Sequence, residues 1–481
     1  MENIFGGFGS FIIAFAYFAL SAGSAIHILM YKDDIKSSIS WLALVFLSPF
    51  IGTLLYLFFG INRVKRKGTR LRKKNQSRAE DLKKEAEVLL ENISPHYEKF
   101  MQYGYNVCSQ KFTFANSVKP LQNGTQAYPE MIEAVKNAKK EVLVESYIFD
   151  VDSETDKLIE AFKTAISSGA AVKVLIDGLG TFSIFKKSIE KKLSAIKGLE
   201  YGVFLPFKIP SDFALFNLRN HRKIMVIDSQ TAFLGGMNLA LANVLQNDKK
   251  KGITDITFKA EGPVAEQIKY VFEDDWEFVK KKKFHSRSSF TPDQNDTRTG
   301  VPARIISDGP DGESGKIELL TQGIINFASK KILIVTPYFL PENNIITALE
   351  MAAMRGVDVE IIVPQKSDHP VMDWAMEPNF LRLAKKGVKI YMTPPPFDHS
   401  KIFISDDEQI LVGSSNWDVR SFKLLFEADM EIISKDLAKQ LTEIAEEKKK
   451  KAVHFDITAS KSMPLLKRLR NNAGRLITPY Y

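Results

Sequence analysis

Histidine and lysine recur in this chain at one repeated spacing. The stretch NHRKIMVIDSQTAFLGGMNLA carries His221, Lys223 and Asp228 as H-x-K-x4-D, followed by Gly235, Gly236 and Asn238. The stretch DHSKIFISDDEQILVGSSNWD repeats the order with His399, Lys401, Asp406, Gly413, Ser414 and Asn416. In both copies seven positions separate His from Asp, and seven separate Asp from the first Gly. Residues two apart on a strand project to one face, so each copy can present an imidazole beside an ammonium. An imidazole titrates near neutrality and serves as nucleophile, acid or base, while an ammonium attracts an anionic group. Asp228 and Asp406 sit where acidic turn residues are common, which gives them a structural reading at strand ends beside the catalytic one. Lysine between His and Asp puts a cation where a metal would need a ligand, so neither metal nor cofactor is expected. The remaining histidines, His27, His96, His285, His369 and His454, form no recognised ligand cluster.

The elements that must position these motifs are also duplicated. EVLVESYIFD at 141–150, LIEAFKTAISSG ending at Gly169, and VKVLIDG at 172–178 read as strand, helix, strand. KILIVTPYFLP at 331–341, IITALEMAAMRG ending at Gly356, and VDVEIIVP at 357–364 repeat that order. A half-chain duplication accounts for both sets. The expected fold class is α/β: two pseudo-symmetric domains, residues 111–284 and 303–481, each a mixed sheet flanked by helices, meeting so that the motifs form one site. The polar, turn-rich 285–302 is the linker between them. GPDGESGKI at 309–317 has the wrong glycine spacing for a phosphate loop and reads as a turn.

The 481 residues give ample core for an enzyme, and a net charge of +9 points to an anionic partner. The one cysteine, Cys108, makes an internal disulfide impossible and permits a reducing compartment. Residues 3–31 carry no charged side chain, and a second uncharged stretch, 37–62, follows after a short turn. Residues 1–62 therefore read as a transmembrane hairpin. NRVKRKGTRLRKK opens the basic juxtamembrane segment, 63–110, with a helix expected at 78–93, and positive-inside reasoning puts the chain ends and the α/β part in the cytoplasm. PLLKRLRNNAGRLITPYY at 464–481 mixes apolar and basic residues, as either a surface-bound or a packed terminal helix does.

The paired motifs resemble those of the phospholipase D superfamily, and the N-terminal hairpin, TPYFLPE at 336–342 and DVRSF at 418–422 narrow the likeness to bacterial cardiolipin synthases. The resemblance implies a phosphatidyl transfer from one phosphatidylglycerol to another, giving cardiolipin and glycerol. It implies His221 as nucleophile, forming a phosphohistidine, and His399 as general acid, with the roles open to exchange. Lys223, Lys401, Asn238 and Asn416 are expected around the phosphoryl oxygens. An acidic residue downstream of each motif is expected to orient its histidine, and Asp255 and Glu427 stand at those positions. The partners implied are phosphatidylglycerol and other anionic phospholipids in a bacterial cell membrane, with no nucleic acid expected. Ile253-Thr254 and Leu425 depart from the family pattern beside these acids. Hydrolysis, or transfer to another alcohol, stays open beside synthesis; a tethered nuclease and a non-catalytic membrane scaffold are the more distant readings.

Overall fold

The computed structural model describes residues 2–32, 35–60, 95–181, 188–206, 218–245, 252–281, 300–310 and 315–477. The basic stretch after residue 62, the helix expected at 78–93 and most of the linker expected at 285–302 lie outside these residues. The chain divides into two compact units, Met1–Arg70 and Leu71–Tyr481.

In the first unit a helix Glu2–Tyr31 is followed by helices Ile35–Leu47 and Pro49–Leu55 and a π-helical turn, Tyr56–Gly60. Polar groups face inward. Ser24 Oγ donates to Thr53 Oγ1 at 3.2 Å, and His27 Nδ1 lies 2.8 Å from the Tyr56 hydroxyl. Large apolar side chains, among them Phe18, Leu29, Met30, Leu47 and Phe50, face outward. No helix, over the described residues, is long and apolar enough to cross a membrane.

The second unit is built on one mixed sheet. Its first half supplies β1 (Thr113–Gln122), β2 (Glu141–Ser146), β3 (Ala171–Asp177), β4 (Leu199–Phe204), β5 (Arg219–Asn220), β6 (Ile224–Ile227), β7 (Thr231–Gly235), β8 (Ile253–Thr254) and β9 (Ile256–Glu261). The second half supplies β10 (Val301–Asp308), β11 (Lys331–Val335), β12 (Phe339–Leu340), β13 (Asp358–Pro364), β14 (Lys389–Thr393), β15 (Phe397–Asp398), β16 (Ile402–Ser405), β17 (Gln409–Gly413), β18 (Trp417–Asp418), β19 (Leu425–Ile433) and β20 (Val453–His454).

The strand order is β20-β14-β13-β11-β16-β17-β19-β10-β1-β9-β7-β6-β2-β3-β4. Read outward from the antiparallel β1–β10 seam, the halves match strand for strand, β20 being the one addition. In each half the inner strands pair antiparallel and the outer three pair parallel. The expected strand-helix-strand units are present, with helices Ser153–Ser167 and Asn343–Met354 between parallel strands. Both helices are followed by a glycine at φ +92°, Gly169 and Gly356, a conformation that a side chain disfavours. The central strands are runs of Val, Ile and Leu because helices cover both faces of the sheet, and a strand buried on both sides cannot alternate with polar residues.

Candidate active site

His221 and His399 do not lie within continuous strands as their spacing suggests. Residues 221–223 fall between β5 and β6, and residues 399–401 between β15 and β16. The break has a cause: each histidine's backbone N–H is drawn to the other half of the molecule. His221 N–H donates to Phe426 O at 2.9 Å, and His399 N–H donates to Thr254 O at 2.7 Å. The preceding residues extend this exchange, β5 pairing parallel with the start of β19 and β15 pairing parallel with β8. The departures Ile253-Thr254 and Leu425 sit in these bridging pairs. Their backbone makes the bridge, which a change of side chain leaves intact.

The side chains cross in the same way, and this corrects the expectation that each acid orients the histidine of its own motif. His221 Nδ1 lies 2.9 Å from Glu427 Oε1, and His399 Nδ1 lies 3.0 Å from Asp255 Oδ2. Each half thus provides the acid for the other half's imidazole. Ser414 Oγ donates to the second Glu427 oxygen at 2.5 Å. On the other acid, a Cβ at Gly236 would stand 2.6 Å from Asp255 Oδ2 and 2.9 Å from Lys401 Cδ. Only glycine lets that strand end approach so closely.

The lysines fold back over their own motifs. Lys223 Nζ donates to His221 O, and Lys401 Nζ to His399 O, both at 2.5 Å. Lys401 Nζ also lies 2.9 Å from His399 Nδ1. That nitrogen can serve one partner at a time: protonated it donates to Asp255, and the ammonium keeps the carbonyl.

The cluster is buried, and its protonation follows from that. Burial, then the charges of Lys223 and Lys401, push the His221 imidazole well below its ordinary value. Burial and Lys401 lower His399 as well, against the opposing effect of its hydrogen bond to Asp255. Burial brings the Lys223 ammonium down to about 7 and Lys401 to about 8, while the facing carboxylates hold them up. Burial raises Glu427 to about 7, against the pull of Lys223. Lysines and a carboxyl that ordinarily titrate far apart are thus brought together around neutrality.

Asp228 and Asp406 are turned elsewhere. Asp228 accepts the backbone N–H groups of Lys139, Lys140 and Glu141, and Asp406 those of Ser329, Lys330 and Lys331. Both tie the turn after the motif strand to the start of the neighbouring strand. Asn238 Oδ1 accepts the Ile148 N–H at 3.3 Å, and Asn416 is buried with its Oδ1 unpartnered.

Sequence reasoning passed over an aromatic pair. The Tyr147 ring meets His221 edge-on at 5.1 Å, and the Tyr338 ring meets His399 edge-on at 6.5 Å. Lys223 also lies over Tyr147, 5.4 Å from its centroid. The signal was present, since SYIF and PYFL follow the matching strands β2 and β11 in the two halves. Arg222 was missed too: it donates to Glu427 O at 3.0 Å and to Asp275, fixing the backbone beside the acid.

Residues 131–276 and 322–449 match the family described as cardiolipin synthase, PLD-like domain, and residues 19–60 match phospholipase D-nuclease N-terminal. The cardiolipin synthase of Clostridium perfringens (strain SM101 / Type A) is 30% identical over 452 residues, 92% of this chain and 93% of that one. Cardiolipin synthase 1 of Staphylococcus aureus (strain COL) is 30% identical over 464 residues, 92% and 91% of the two chains. The major cardiolipin synthase ClsA of Bacillus subtilis (strain 168) is 30% identical over 494 residues, 98% and 99% of the two chains. Among solved structures, the phosphatidylserine synthase of Haemophilus influenzae Rd KW20 shares the fold, with TM-score 0.63 and 16% identity over 80% of this chain and all of that one. A doubled sheet, paired motifs and kinship along almost the whole length agree, and the chain belongs to the phospholipase D-like cardiolipin synthase family.

Proposed function

We propose that this protein is a cardiolipin synthase, a phosphatidyltransferase that joins two phosphatidylglycerol molecules and releases glycerol. The observation that carries the reading is the crossed pair of histidine-carboxylate contacts, each beside a lysine, in one buried cluster. The name shared by relatives matching more than nine-tenths of the chain supports the same reaction.

With Nδ1 of each histidine engaged by its acid, Nε2 is the reacting nitrogen. His221 is the stronger candidate for nucleophile, because burial and two ammonium groups favour its unprotonated form. Its Nε2 attacks phosphorus, the phosphorus–oxygen bond to glycerol breaks, and the proton on His399 Nε2 goes to the departing oxygen. The anionic phosphodiester restores positive charge to His399, since an opposite charge nearby favours the protonated imidazole. In the second half-reaction His399 takes the proton from a hydroxyl of the second phosphatidylglycerol. That oxygen attacks phosphorus, and the bond to His221 breaks. Lys223, Lys401 and the amides of Asn238 and Asn416 stabilise charge on the non-bridging oxygens. Asp255 and Glu427 orient the imidazoles. Asp228 and Asp406 act through the fold.

The uncharged runs at 3–31 and 37–62, with outward apolar and inward polar side chains, support a two-span membrane anchor, and the basic stretch after it supports a cytoplasmic catalytic part. Residues 111–284 and 303–481 serve as the two halves of the enzyme.

The test is incubation of the purified full chain with phosphatidylglycerol vesicles. Cardiolipin and glycerol in equal amounts are expected; phosphatidic acid would assign hydrolysis, and no turnover a scaffold. Quenching in alkaline denaturant, which preserves the acid-labile phosphorus–nitrogen bond, should with phosphorus-labelled lipid leave label on the wild-type chain and none on His221→Ala.

A further inference from the structure

The helix Leu465–Ile477 is docked with its polar edge inward and its apolar stripe outward. It packs on the helix Pro370–Ala384 through small and polar residues. A Cβ at Gly474 would lie 3.5 Å from Val371 O and 3.8 Å from Ala375 Cβ. Asn471 is buried and donates to Glu377. The Arg470 guanidinium lies over the Trp374 ring at 4.5 Å.

On the other side, Leu465, Leu466, Leu469 and Leu476 are 67%, 80%, 57% and 78% exposed. At about 100° per residue these four leucines fall within one stripe about 100° wide, facing away from Asn471 and Gly474. They make up half of the large apolar side chains exposed among the described residues of the Leu71–Tyr481 unit. A surface helix of a globular domain normally buries such a stripe. Here the core contact uses the opposite edge, and the described residues of this unit leave the stripe uncovered.

The charges say what would cover it. Arg468 and Arg475 border the leucines on one side and Arg470 on the other, and the helix contains no acidic residue. Leucines bordered by cations fit the boundary between headgroups and acyl chains of an anionic leaflet. We infer that this helix is an interfacial docking element, lying in the plane of an anionic phospholipid surface with its leucines among the acyl chains. It is a membrane contact of the Leu71–Tyr481 unit itself, made by residues that the catalytic reading does not use.

The test is an environment-sensitive fluorophore on Ala473→Cys, an exposed position within the stripe, in the full chain with Cys108→Ser. The protein is compared in detergent, in phosphatidylcholine vesicles and in vesicles containing phosphatidylserine, an anionic lipid outside the proposed reaction. Blue-shifted emission and quenching by shallow spin-labelled lipid are expected with the anionic vesicles, with no change for a probe at exposed Lys163. Reversing Arg468 and Arg475 to Glu should weaken the response by more than about fivefold per cation, the effect of one basic residue near such a surface. Unshifted emission in all vesicles overturns the inference. So does a concentration-dependent shift in detergent accompanied by a dimer in light scattering, which would give the stripe to a second copy.

Discussion

At the scale of single residues, crossing makes the two carboxylates separable by experiment. Glu427 serves His221 and Asp255 serves His399. If His221 forms the intermediate and His399 manages the protons, Glu427→Gln slows formation of the labelled phosphohistidine, while Asp255→Asn slows its resolution and lets label accumulate. Each should cost about a hundredfold or more in turnover, the usual worth of a positioned acid-base group. Rapid-quench labelling reads the difference, and a reversed pattern would reverse the histidine roles. The lysines set the pH dependence. Lys223 and Lys401 must be cationic to hold the phosphodiester, and burial brings them to about 7 and about 8. Because deprotonation removes their charge, kcat/KM should fall as pH rises through that window. The limb set by His221 lies well below the ordinary imidazole range, since only the neutral ring attacks. Lys223→Met should lower kcat/KM by about 10²- to 10³-fold, as loss of one charge-stabilising donor does, and remove the lower step of the alkaline limb in a pH profile.

At the scale of elements, the aspartates of the repeated motif are strand fasteners. Burial opposes their ionisation, but the three backbone N–H donors on each carboxylate together outweigh it and hold both carboxyls below the ordinary value. A depressed folded value means that their contribution is complete above about pH 4 and lost as pH falls through the folded value. Asp228→Ala and Asp406→Ala should each lower stability by about 1–3 kcal/mol with little change in kcat, measured by denaturant unfolding beside the activity assay. Local elements were the most legible part of the sequence, because a buried parallel strand is a run of Val and Ile and its helix ends at a glycine; β2, β3, β11 and β13 all follow that rule. The spacing also identified the two histidines and two lysines of the cluster, and the family resemblance its two acids, whereas Tyr147, Tyr338 and Arg222 were passed over. Neither could reveal which acid meets which imidazole, since spacing fixes distance along one segment, and Glu427 reaches His221 across 206 positions. The break of strand at His221 and His399 was hidden for the same reason, its cause being a backbone acceptor in the other half.

At the scale of the whole molecule, the duplicated halves form one sheet through the β1–β10 seam and one site through the crossed pairs. Neither half holds a complete histidine-acid pair. A chain cut at residue 290 should therefore be inactive as either fragment alone and regain activity when both are co-expressed; turnover by one fragment would refute a shared site. The doubling was visible in the motifs, whereas the seam was not, because β1 carries no counterpart of the motif residues and pairs through its backbone. The crossing also has a meaning for biosynthesis. His221 leaves the ribosome long before the residue that orients it, and His399 emerges with its acid already made but its partner histidine still unheld. A nascent chain, even one already held at a bilayer by its first residues, has no assembled means of cutting the lipid around it until translation has passed Glu427. Chemical competence arrives together with completion of the fold.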